Sequence, residues 1–378
     1  SSHSILDDKR FREHIPTIQA LKESRLVIIT HQSRPGKKDF TTLESHAEKL
    51  EQLIKRPVRY IDDIFGQYAR ESARAEKPGD VLMLENVRFN AEENLTMRPE
   101  DAARCHLVRG LASIGDLFVN AAVGTSHRSQ PTMVGLPMAM KSVAGLLMER
   151  EVLTLSRVFS SAPRPVSVVL GGTKVDDSIA VAEHMLRYHI ADQVIVIGVV
   201  ANVFLEAMGY DIGHPSAHLI RQLKYEKEIG KARDLLREFG ERIAAPEWIA
   251  VREGGVRNEY PVSSVPADAP VLDIGMDSVL TLSEQISRSG TVVFNGPAGV
   301  FEDRDFATGT FELLKAASKT PFSIIGGGHT AAVVEQLGME KDFTHISTGG
   351  GACIEFLTGK KLPAAPATTG RPADPAAP

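Results

Sequence analysis

Cysteine is scarce in this sequence, with only Cys105 and Cys353 among 378 residues. Two cysteines are too few for a disulfide framework, and their spacing does not match that of metal ligands. A reducing compartment such as the cytoplasm is therefore the expected setting. The most apolar run, from Val194 to Leu205, contains Asn202 and is too short to span a bilayer. The N-terminus lacks the charged-then-apolar pattern of a signal peptide.

An excess of positive charge is also absent, because 43 Lys and Arg residues face 48 Asp and Glu residues, a net charge of −5. This balance gives no bulk attraction to nucleic acid or to an anionic membrane, so we expect neither as a partner. Hydrophobic residues at 43% and charged residues at 24% are ordinary for a globular enzyme. The length predicts two or three domains. An acidic chain that binds anions must place its basic residues locally.

Strand and helix patterns alternate along the first part of the chain. Short continuous apolar runs read as buried strands, and longer amphipathic segments between them read as helices. Such alternation predicts an α/β fold with parallel sheets covered by helices. The predicted strands are 26–30, 58–61, 81–84 and 117–120, and the predicted helices include 10–24 and 42–55.

A long helix from about Lys141 to Phe159 ends at the proline-containing stretch 160–165, which we take as a domain boundary. A second β-α series follows it. The segment 364–378 is rich in Ala, Pro and Thr and is predicted to be a disordered tail. The predicted strands of the second series are 166–170, 193–200, 271–274, 291–294, 322–325 and 345–346.

Glycine-rich loops follow four strands of the second series. Glycines at the carboxyl end of a strand let the backbone approach a ligand, and the next helix offers free N–H groups to anions. A single such loop is usually a tight turn, but four in one domain are hard to attribute to turns alone. The pattern favours anion sites at 326–330 and 349–351, whereas a turn and an anion site stay equally open for 295–299. Lys174 is either a solvated lysine or a phosphate contact, and its place in a glycine loop favours the contact. The loops are 171–174, 295–299, 326–330 and 347–351, with helices predicted over 331–337 and 352–357.

Arg and His residues follow three strands of the first half, and Arg10 opens the first helix. Each alone could be a surface charge, which is the commoner fate of Arg. Together they predict a basic pocket at one edge of the sheet, suited to a small phosphorylated or carboxylated substrate. These residues are His31, Arg34, Arg88, His127 and Arg128. This pocket in the first half and the glycine loops in the second half would bring two anionic substrates together. Such an arrangement predicts phosphoryl transfer, in which positioning and charge neutralisation supply most of the catalysis.

The motifs as a set resemble the phosphoglycerate kinase family, in the family's order and nearly from end to end. They are His-Gln-Ser-Arg-Pro at 31–35, Leu-Glu-Asn-Val-Arg-Phe at 84–89, Gly-Thr-Ser-His-Arg at 124–128, Gly-Gly-Thr-Lys-Val at 171–175, Asn-Gly-Pro-Ala-Gly-Val-Phe-Glu at 295–302, Gly-Gly-Gly-His-Thr at 326–330 and Ser-Thr-Gly-Gly-Gly at 347–351. The segments 40–44 and 127–131 resemble the archaeal branch.

The resemblance implies the reaction 1,3-bisphosphoglycerate + ADP ⇌ 3-phosphoglycerate + ATP, with Mg²⁺, in glycolysis and gluconeogenesis. It implies a monomer. It also implies that Arg10, His31, Arg34, Arg88 and Arg128 hold the phosphoglycerate, with Arg10 among the catalytic residues.

On the nucleotide side, the resemblance implies that Lys174 stabilises the transferring phosphoryl group and that Glu302 lies near the ribose. Gly350 would aim a helix N-terminus at the charge that develops during transfer, and Gly327 would also be catalytic. The implied nucleotide-binding residues are Gly171, Gly172, Lys174, Asn295, Glu302, Gly326, Gly327, Gly328, His329 and Thr330.

The implied architecture is two Rossmann-like three-layer α/β/α domains with parallel sheets, joined by a long helix and a hinge whose closure expels water. Residues 1–155 would form the phosphoglycerate-binding domain and residues 156–345 the nucleotide-binding domain. Residues 346–363 would fold back toward the first domain, ahead of the tail.

The sequence departs from the family pattern at four places. The family's Asp-x-Asn-x-Pro strand would stand just before Ile5, where this sequence reads Ser-Ser-His-Ser. Ala121 stands where the family has Asp, and Ser178 where many members have a second lysine. His329 replaces the usual metal-binding Asp, and neutral His is a poor Mg²⁺ ligand. The sequence therefore predicts no clear protein ligand for the metal, which nucleotide phosphates and water would hold.

Two other functions stay open at the level of sequence. A catalytically impaired homologue that binds nucleotide would account for Ala121 and the missing first motif, whereas the retained Arg, His and Lys174 argue against it. A generic nucleotide-binding enzyme such as a dehydrogenase should carry Gly-x-Gly-x-x-Gly at the start of a β-α-β unit, with an acidic residue about twenty positions on. We find no such arrangement.

Overall fold

The chain divides into two compact units in a computed structural model that describes residues 8–364. Among the described residues, unit 1 consists of 8–153 together with 361–364, and unit 2 is Thr154–Lys360. The segment before Ile5 and residues 365–378 of the predicted tail lie outside the described residues. The first residue of the predicted tail, Ala364, is instead buried, and its amide donates to the Ser126 carbonyl at 3.2 Å. No helix in the described range combines the length and apolarity that a membrane crossing requires.

Unit 1 alternates short strands with helices, as the apolar pattern predicts. In chain order its elements are α1 Lys9–Ala20, β1 Leu26–Ile28, α2 Glu44–Ile54, β2 Arg59–Tyr60, α3 Gln67–Ala75, β3 Val81–Met83, α4 Pro99–Ala102, α5 His106–Ala112, β4 Phe118–Asn120, α6 Pro131–Val134, α7 Leu136–Ala139 and β5 Ser142–Ala144. The next helix, α8 Leu146–Ser160, crosses the boundary between the units.

Two parallel sheets form in the described part of unit 1, one with the order β1-β3-β2 and one that pairs β4 with β5. Side chains of β3 alternate between two apolar cores, because successive residues of a strand point to opposite faces. Val81 and Met83 pack in one core, and Leu82 packs in the other. Helices therefore cover both faces of the larger sheet.

Unit 2 contains a longer series of elements. After α8 these are β6 Val166–Leu170, α9 Val175–Arg187, β7 Gln193–Val196, α10 Gly198–Met208, α11 His214–Gln222, α12 Glu226–Phe239, β8 Ile243–Ala244, β9 Trp248–Glu253, β10 Val256–Pro261, β11 Val271–Ile274, α13 Met276–Ser287, β12 Thr291–Asn295, α14 Thr308–Ala317, β13 Phe322–Gly326, α15 Gly328–Gln336, β14 His345–Ile346 and α16 Gly351–Leu357.

A six-stranded parallel sheet with the order β14-β13-β12-β6-β7-β8 is the centre of unit 2. Its strands β6, β12 and β13 are buried over their full length, as β-branched runs in a sheet covered on both faces should be. Val168 and Leu170 pack in one apolar core, whereas Val169 packs in a second core. The sheet is therefore the middle of three layers.

The predicted helix from Lys141 is wrong at its start, because residues 142–144 form strand β5 beside β4 and the helix begins at Leu146. The Gly145 amide donates to the Asn120 carbonyl at 2.8 Å, which continues the pairing beyond the strand. A pairing partner distant in sequence decides the structure here, whereas the local pattern favoured a helix.

Two predictions for unit 2 also need correction. The strand predicted over 193–200 ends at Val196, because Gly198 takes φ +62° and opens helix α10. Residues 271–274 do form a strand, but it pairs antiparallel with β9, outside the parallel sheet. The hairpin of β9 and β10, which turns at Gly254 and Gly255, was not predicted.

Candidate active site

Arg88 lies at the centre of the basic residues in unit 1. It follows β3 on the short 3₁₀ turn Val87–Phe89, and only 5% of its surface is exposed. Its guanidinium donates hydrogen bonds to the Ser33 carbonyl and, at 3.3 Å, to Gln130 Oε1. Its Nε is buried and has no hydrogen-bond partner among residues 8–364. A guanidinium with a free buried donor is suited to binding an anion.

The five residues predicted to hold the substrate come together around His31 and Arg88. Burial lowers the pKa of His31 to about 4, with further lowering by the positive charges of Arg88, Arg128 and Arg10. Burial also lowers the pKa of Arg88, and the charges of Arg128 and Arg34 add to that effect. Within residues 8–364, no salt bridge joins any of these four arginines to a carboxylate. The cluster therefore carries positive charge that an anionic ligand would neutralise.

The loop that carries Arg34 is held in an unusual backbone conformation. Ser33 has φ +55°, in the left-handed region that residues other than glycine seldom adopt. Its hydroxyl donates to Asp39 Oδ1 at 2.7 Å, and Gln32 donates to the other Asp39 oxygen at 3.3 Å. Its carbonyl accepts from Arg88. These contacts leave the Arg34 side chain exposed beside the cluster.

Replacement of His31 by Asn should make the protein less sensitive to acid. The folded-state pKa of about 4 lies below the ordinary histidine pKa of 6.5. The unfolded chain therefore binds a proton first as pH falls, so stability present above pH 6.5 is lost as pH drops toward 4. The loss due to His31 is at most about 3 kcal/mol. Urea unfolding at pH 7 and pH 4.5 measures it. A His31→Asn variant whose free energy of unfolding falls between pH 7 and pH 4.5 as much as that of the wild type would contradict this account. His218→Asn, at an exposed histidine, is the control.

Five glycine-containing loops lie along one edge of the six-stranded sheet. They follow the neighbouring strands β14, β13, β12, β6 and β7, all of them parallel, so their carboxyl ends meet at the same edge. Ligands of open α/β sheets bind at this edge, where helix N-termini present free N–H groups. The structure thus brings the predicted nucleotide loops together, and it adds Gly198, which sequence reasoning missed.

Backbone segments approach one another closely between the loops after β6 and β12. Gly171 donates to the Asn295 carbonyl at 2.7 Å, and Gly172 donates to the Pro297 carbonyl at 2.9 Å. A Cβ atom on Gly296, which has φ +92°, would lie 2.1 Å from the Gly171 carbonyl oxygen. Only glycine fits this position, both in space and in backbone conformation.

A Gly296→Ala substitution should therefore destabilise unit 2 and disrupt the loops around it. We expect a loss of about 3 kcal/mol or more in the free energy of unfolding, because a rigid backbone oxygen must move. Gly230→Ala is the matched control, since Gly230 lies inside α12 with nothing within 4 Å of its Cβ position. That substitution should stabilise the protein by about 1 kcal/mol. Denaturant unfolding of both variants measures the difference, and equal stabilities would contradict the packing argument.

The loop after β12 is held at alternate residues. The Gly296 amide donates to Thr330 Oγ1 at 2.8 Å, and the Ala298 amide donates to Thr310 Oγ1 at 2.9 Å. The Val300 amide donates to the Leu272 carbonyl at 2.9 Å. Thr330 thus has a structural contact beside its predicted nucleotide role. Thr310 was missed by sequence reasoning, since no local spacing marks it.

Asn295 and the glycines after β13 form the centre of the edge. Asn295 ends β12 and is 7% exposed, and its Oδ1 is buried without a hydrogen-bond partner in the described part of the chain. A Cβ atom on Gly327 would lie 2.8 Å from that oxygen, and one on Gly326 would lie 3.0 Å from it. Gly327 has φ +82° and leads directly into α15, whose first residue is Gly328. An amide oxygen left unpaired at a loop junction is available to a ligand.

The remaining predicted residues lie on neighbouring loops. Lys174 is exposed and immediately precedes α9, and Gly350, with φ +53°, immediately precedes α16. Glu302 is exposed after the loop that follows β12. His329 is exposed, and its ring centroid lies 6.3 Å from that of Phe301. Among residues 8–364, no hydrogen bond joins these side chains to one another.

A buried acid behind the β12 loop was also missed. Asp273 on β11 is 2% exposed, and burial raises its pKa to about 6. Its Oδ2 accepts from the Gly309 amide and from Arg257, each at 3.0 Å. Arg257 also donates to the Asp305 carbonyl at 2.7 Å. The unpredicted hairpin thus supports the segment that follows Glu302.

The fold and these loops define the class of the protein, a two-domain Rossmann-like α/β protein with a candidate anion site in each unit. The chain matches the family model for phosphoglycerate kinase over residues 1–360. It is 63% identical over 364 residues to phosphoglycerate kinase of Methanocorpusculum labreanum, spanning 96% of this chain and 90% of that protein. It is 47% identical over 360 residues to that of Methanosarcina mazei, spanning 95% of this chain and 86% of the relative.

A solved structure agrees with these relatives. The crystal structure of phosphoglycerate kinase from Pyrococcus horikoshii OT3 matches with a TM-score of 0.90 at 40% identity, covering 97% of this chain and 92% of that one. The chain belongs to the phosphoglycerate kinase family. The resemblance stated from the motifs, its archaeal branch and the α/β fold class with parallel sheets are thereby confirmed. The roles of individual residues stay predictions.

Proposed function

We propose that this chain catalyses reversible phosphoryl transfer between ATP and the carboxylate of 3-phosphoglycerate, within glycolysis and gluconeogenesis. The main support is the cluster of four arginines around His31, whose positive charge no carboxylate in residues 8–364 neutralises by a salt bridge. The products of the forward step are ADP and an acyl phosphate, 1,3-bisphosphoglycerate. The membership of the chain in the phosphoglycerate kinase family supports the same reaction.

Phosphoglycerate binding is assigned to unit 1. Arg10, Arg34, Arg88 and Arg128 would share the phosphate and carboxylate groups, with guanidinium forks that suit both. The depressed pKa of His31 keeps its imidazole neutral at physiological pH, so it would act as a hydrogen-bonding group in the pocket. His31 would therefore bind the substrate as a neutral hydrogen-bonding group and would not add a positive charge to the pocket.

Nucleotide binding is assigned to the glycine loops of unit 2. Backbone N–H groups of 326–328 would contact phosphate oxygens, and Asn295 and Glu302 would contact the nucleotide. The N–H groups of Gly171 and Gly172 donate to the Asn295 and Pro297 carbonyls, so these glycines would instead let the nucleotide approach the backbone closely. Thr330 and His329 complete the predicted set. Lys174 would neutralise the phosphoryl group in transfer, together with the N–H groups beyond Gly350. Hinge closure and the predicted domain limits at residues 155, 345 and 363 stay predictions.

Mg²⁺ would arrive with the nucleotide, held by its phosphate oxygens and water. Residues 8–364 contain no group of three or more His, Cys, Asp or Glu side chains placed to hold a metal ion. The edge of the six-stranded sheet where the glycine-containing loops lie offers mainly backbone N–H groups and His329. These groups fit a metal–nucleotide complex better than a free metal ion. The cation would neutralise phosphate charge when bound. We further propose a cytoplasmic monomer that acts without nucleic acid or a membrane.

A coupled assay tests the proposed function. The purified chain is given ATP, Mg²⁺ and 3-phosphoglycerate, and acyl phosphate formation is followed by its reductive dephosphorylation with NADH. Turnover that requires all three components is the expected result. Binding of ATP without turnover, at saturating 3-phosphoglycerate, would overturn the proposal and favour the impaired homologue.

A further inference from the structure

Asn86 lies beneath the arginine cluster and is fully buried, with 0% of its surface exposed. Its side-chain amide donates to the Gln32 carbonyl at 3.0 Å and to the Thr41 carbonyl at 2.9 Å. Its Oδ1 accepts from the Arg88 amide at 3.1 Å. Both amide hydrogens and the amide oxygen are therefore in use, as a buried polar side chain requires.

The two carbonyls lie at opposite ends of one loop, residues 32–41, which carries Arg34. Because a single NH₂ group contacts both ends, Asn86 fixes the separation of the two ends. His31 directly precedes this loop. Neighbouring Glu85, 2% exposed, extends the attachment, since its Oε1 accepts from the Leu43 amide at 3.0 Å.

Asn86 also sets the position of Arg88. The Asn86 oxygen caps the 3₁₀ turn through the Arg88 amide, and the Arg88 side chain returns to the Ser33 carbonyl inside the loop. The loop and the turn are thus connected in a closed set of hydrogen bonds. On the exposed side of the loop, Asp39 accepts from Ser33 and Gln32.

We propose that Asn86 is a positioning residue for the phosphoglycerate subsite, holding Arg34 and Arg88 at a fixed separation through the loop 32–41. This inference rests on the proposed function. Loss of the amide would leave two buried carbonyls without donors and would let the loop move. Affinity for 3-phosphoglycerate should fall, whereas ATP affinity should not change, because the hydrogen bonds of the Asn86 side chain go to Gln32, Thr41 and Arg88 of unit 1.

Two substitutions separate this role from simple capping. Asn86→Ser retains an oxygen that can cap the turn but is too short to reach both carbonyls. Asn86→Asp retains the shape of the side chain and loses the amide donors. Asn90→Ala is the matched control, because Asn90 caps the next 3₁₀ turn through the Glu92 amide at 2.9 Å and, within residues 8–364, forms no hydrogen bond to the loop.

The measurement is the KM for 3-phosphoglycerate and the KM for ATP in the coupled assay, with circular dichroism to check folding. We expect Asn86→Ser and Asn86→Asp to raise the KM for 3-phosphoglycerate about tenfold or more and to leave the KM for ATP within about twofold. Asn90→Ala should change neither constant. Folded Asn86 variants with an unchanged KM for 3-phosphoglycerate, or with both constants raised equally, would overturn the inference.

Asp39→Ala keeps the test decisive if neither Asn86 variant folds. Asp39 is exposed, so its removal should leave the fold intact while it loosens the same loop from outside. A selective rise of a few-fold in the KM for 3-phosphoglycerate is expected, and no change would then overturn the inference. A wild-type chain without turnover would refute the proposed function instead, so the two failures are distinguishable.

Discussion

Lys174→Ala should lower kcat by about 10²–10³-fold, the cost of removing one group that stabilises transition-state charge. Lys174 is exposed at the carboxyl end of β6, at the edge where the glycine loops meet. Within the described residues it has no salt-bridge partner, so its charge is available to the ligand. Because its position is exposed, the stability of the fold should not change. Steady-state assays and a titration with ATP measure the effect.

Lys319→Ala is the control for this substitution. Lys319 is also an exposed lysine of unit 2, and it lies after α14, at the other end of the sheet's strands, ahead of β13. It should retain wild-type turnover. A Lys174→Ala variant with wild-type kcat, or one whose only defect is a lower unfolding midpoint, would refute the assignment of Lys174 to the transferring phosphoryl group.

Arg34→Ala should lower kcat/KM for 3-phosphoglycerate by about 10²-fold, because a charge-assisted contact to an anion is lost from a cluster that binds it. Arg34 is exposed on the loop 32–41, and none of its side-chain atoms forms a hydrogen bond within residues 8–364. Its removal should therefore leave the free energy of unfolding unchanged. Initial rates at varied 3-phosphoglycerate, with ATP saturating, measure the effect.

Lys37→Ala is the matched control, since Lys37 is an exposed cation on the same loop. If Arg34 acted only through general electrostatic attraction, both substitutions should lower kcat/KM for 3-phosphoglycerate similarly, and this effect should become smaller with added salt. A specific contact should affect Arg34→Ala much more. Equal kinetic constants for the two variants would show that Arg34 acts only through the overall charge of the loop.

The parallel strands of unit 2 could be predicted from sequence because burial on both faces gives continuous apolar runs. Val166–Leu170 and Phe322–Gly326 are examples, and each is buried throughout. The order of these strands could not be predicted, since the pattern of one strand does not specify its neighbour. The hairpin of β9 and β10 did carry a signal, the Gly254-Gly255 pair between two strand-like runs, and it was overlooked.

The candidate site was predictable where residue type alone carries the chemistry. Arg88 and His31 were found because charged residues after strand ends are chemically distinctive. Asn86 and Asp273 were not found, because their importance lies in contacts with segments distant in sequence. A buried amide or carboxylate that positions a loop has no local pattern. Its partners become known only when the fold brings them together.

The most direct test of the central claim is the rate of ATP-dependent phosphorylation of 3-phosphoglycerate by the wild-type chain, measured beside Lys174→Ala and Lys319→Ala. We predict turnover by the wild type and by Lys319→Ala that depends on both substrates and on Mg²⁺, with turnover by Lys174→Ala lower by about 10²-fold or more. A folded wild-type chain that binds ATP and transfers no phosphoryl group to 3-phosphoglycerate would contradict the account.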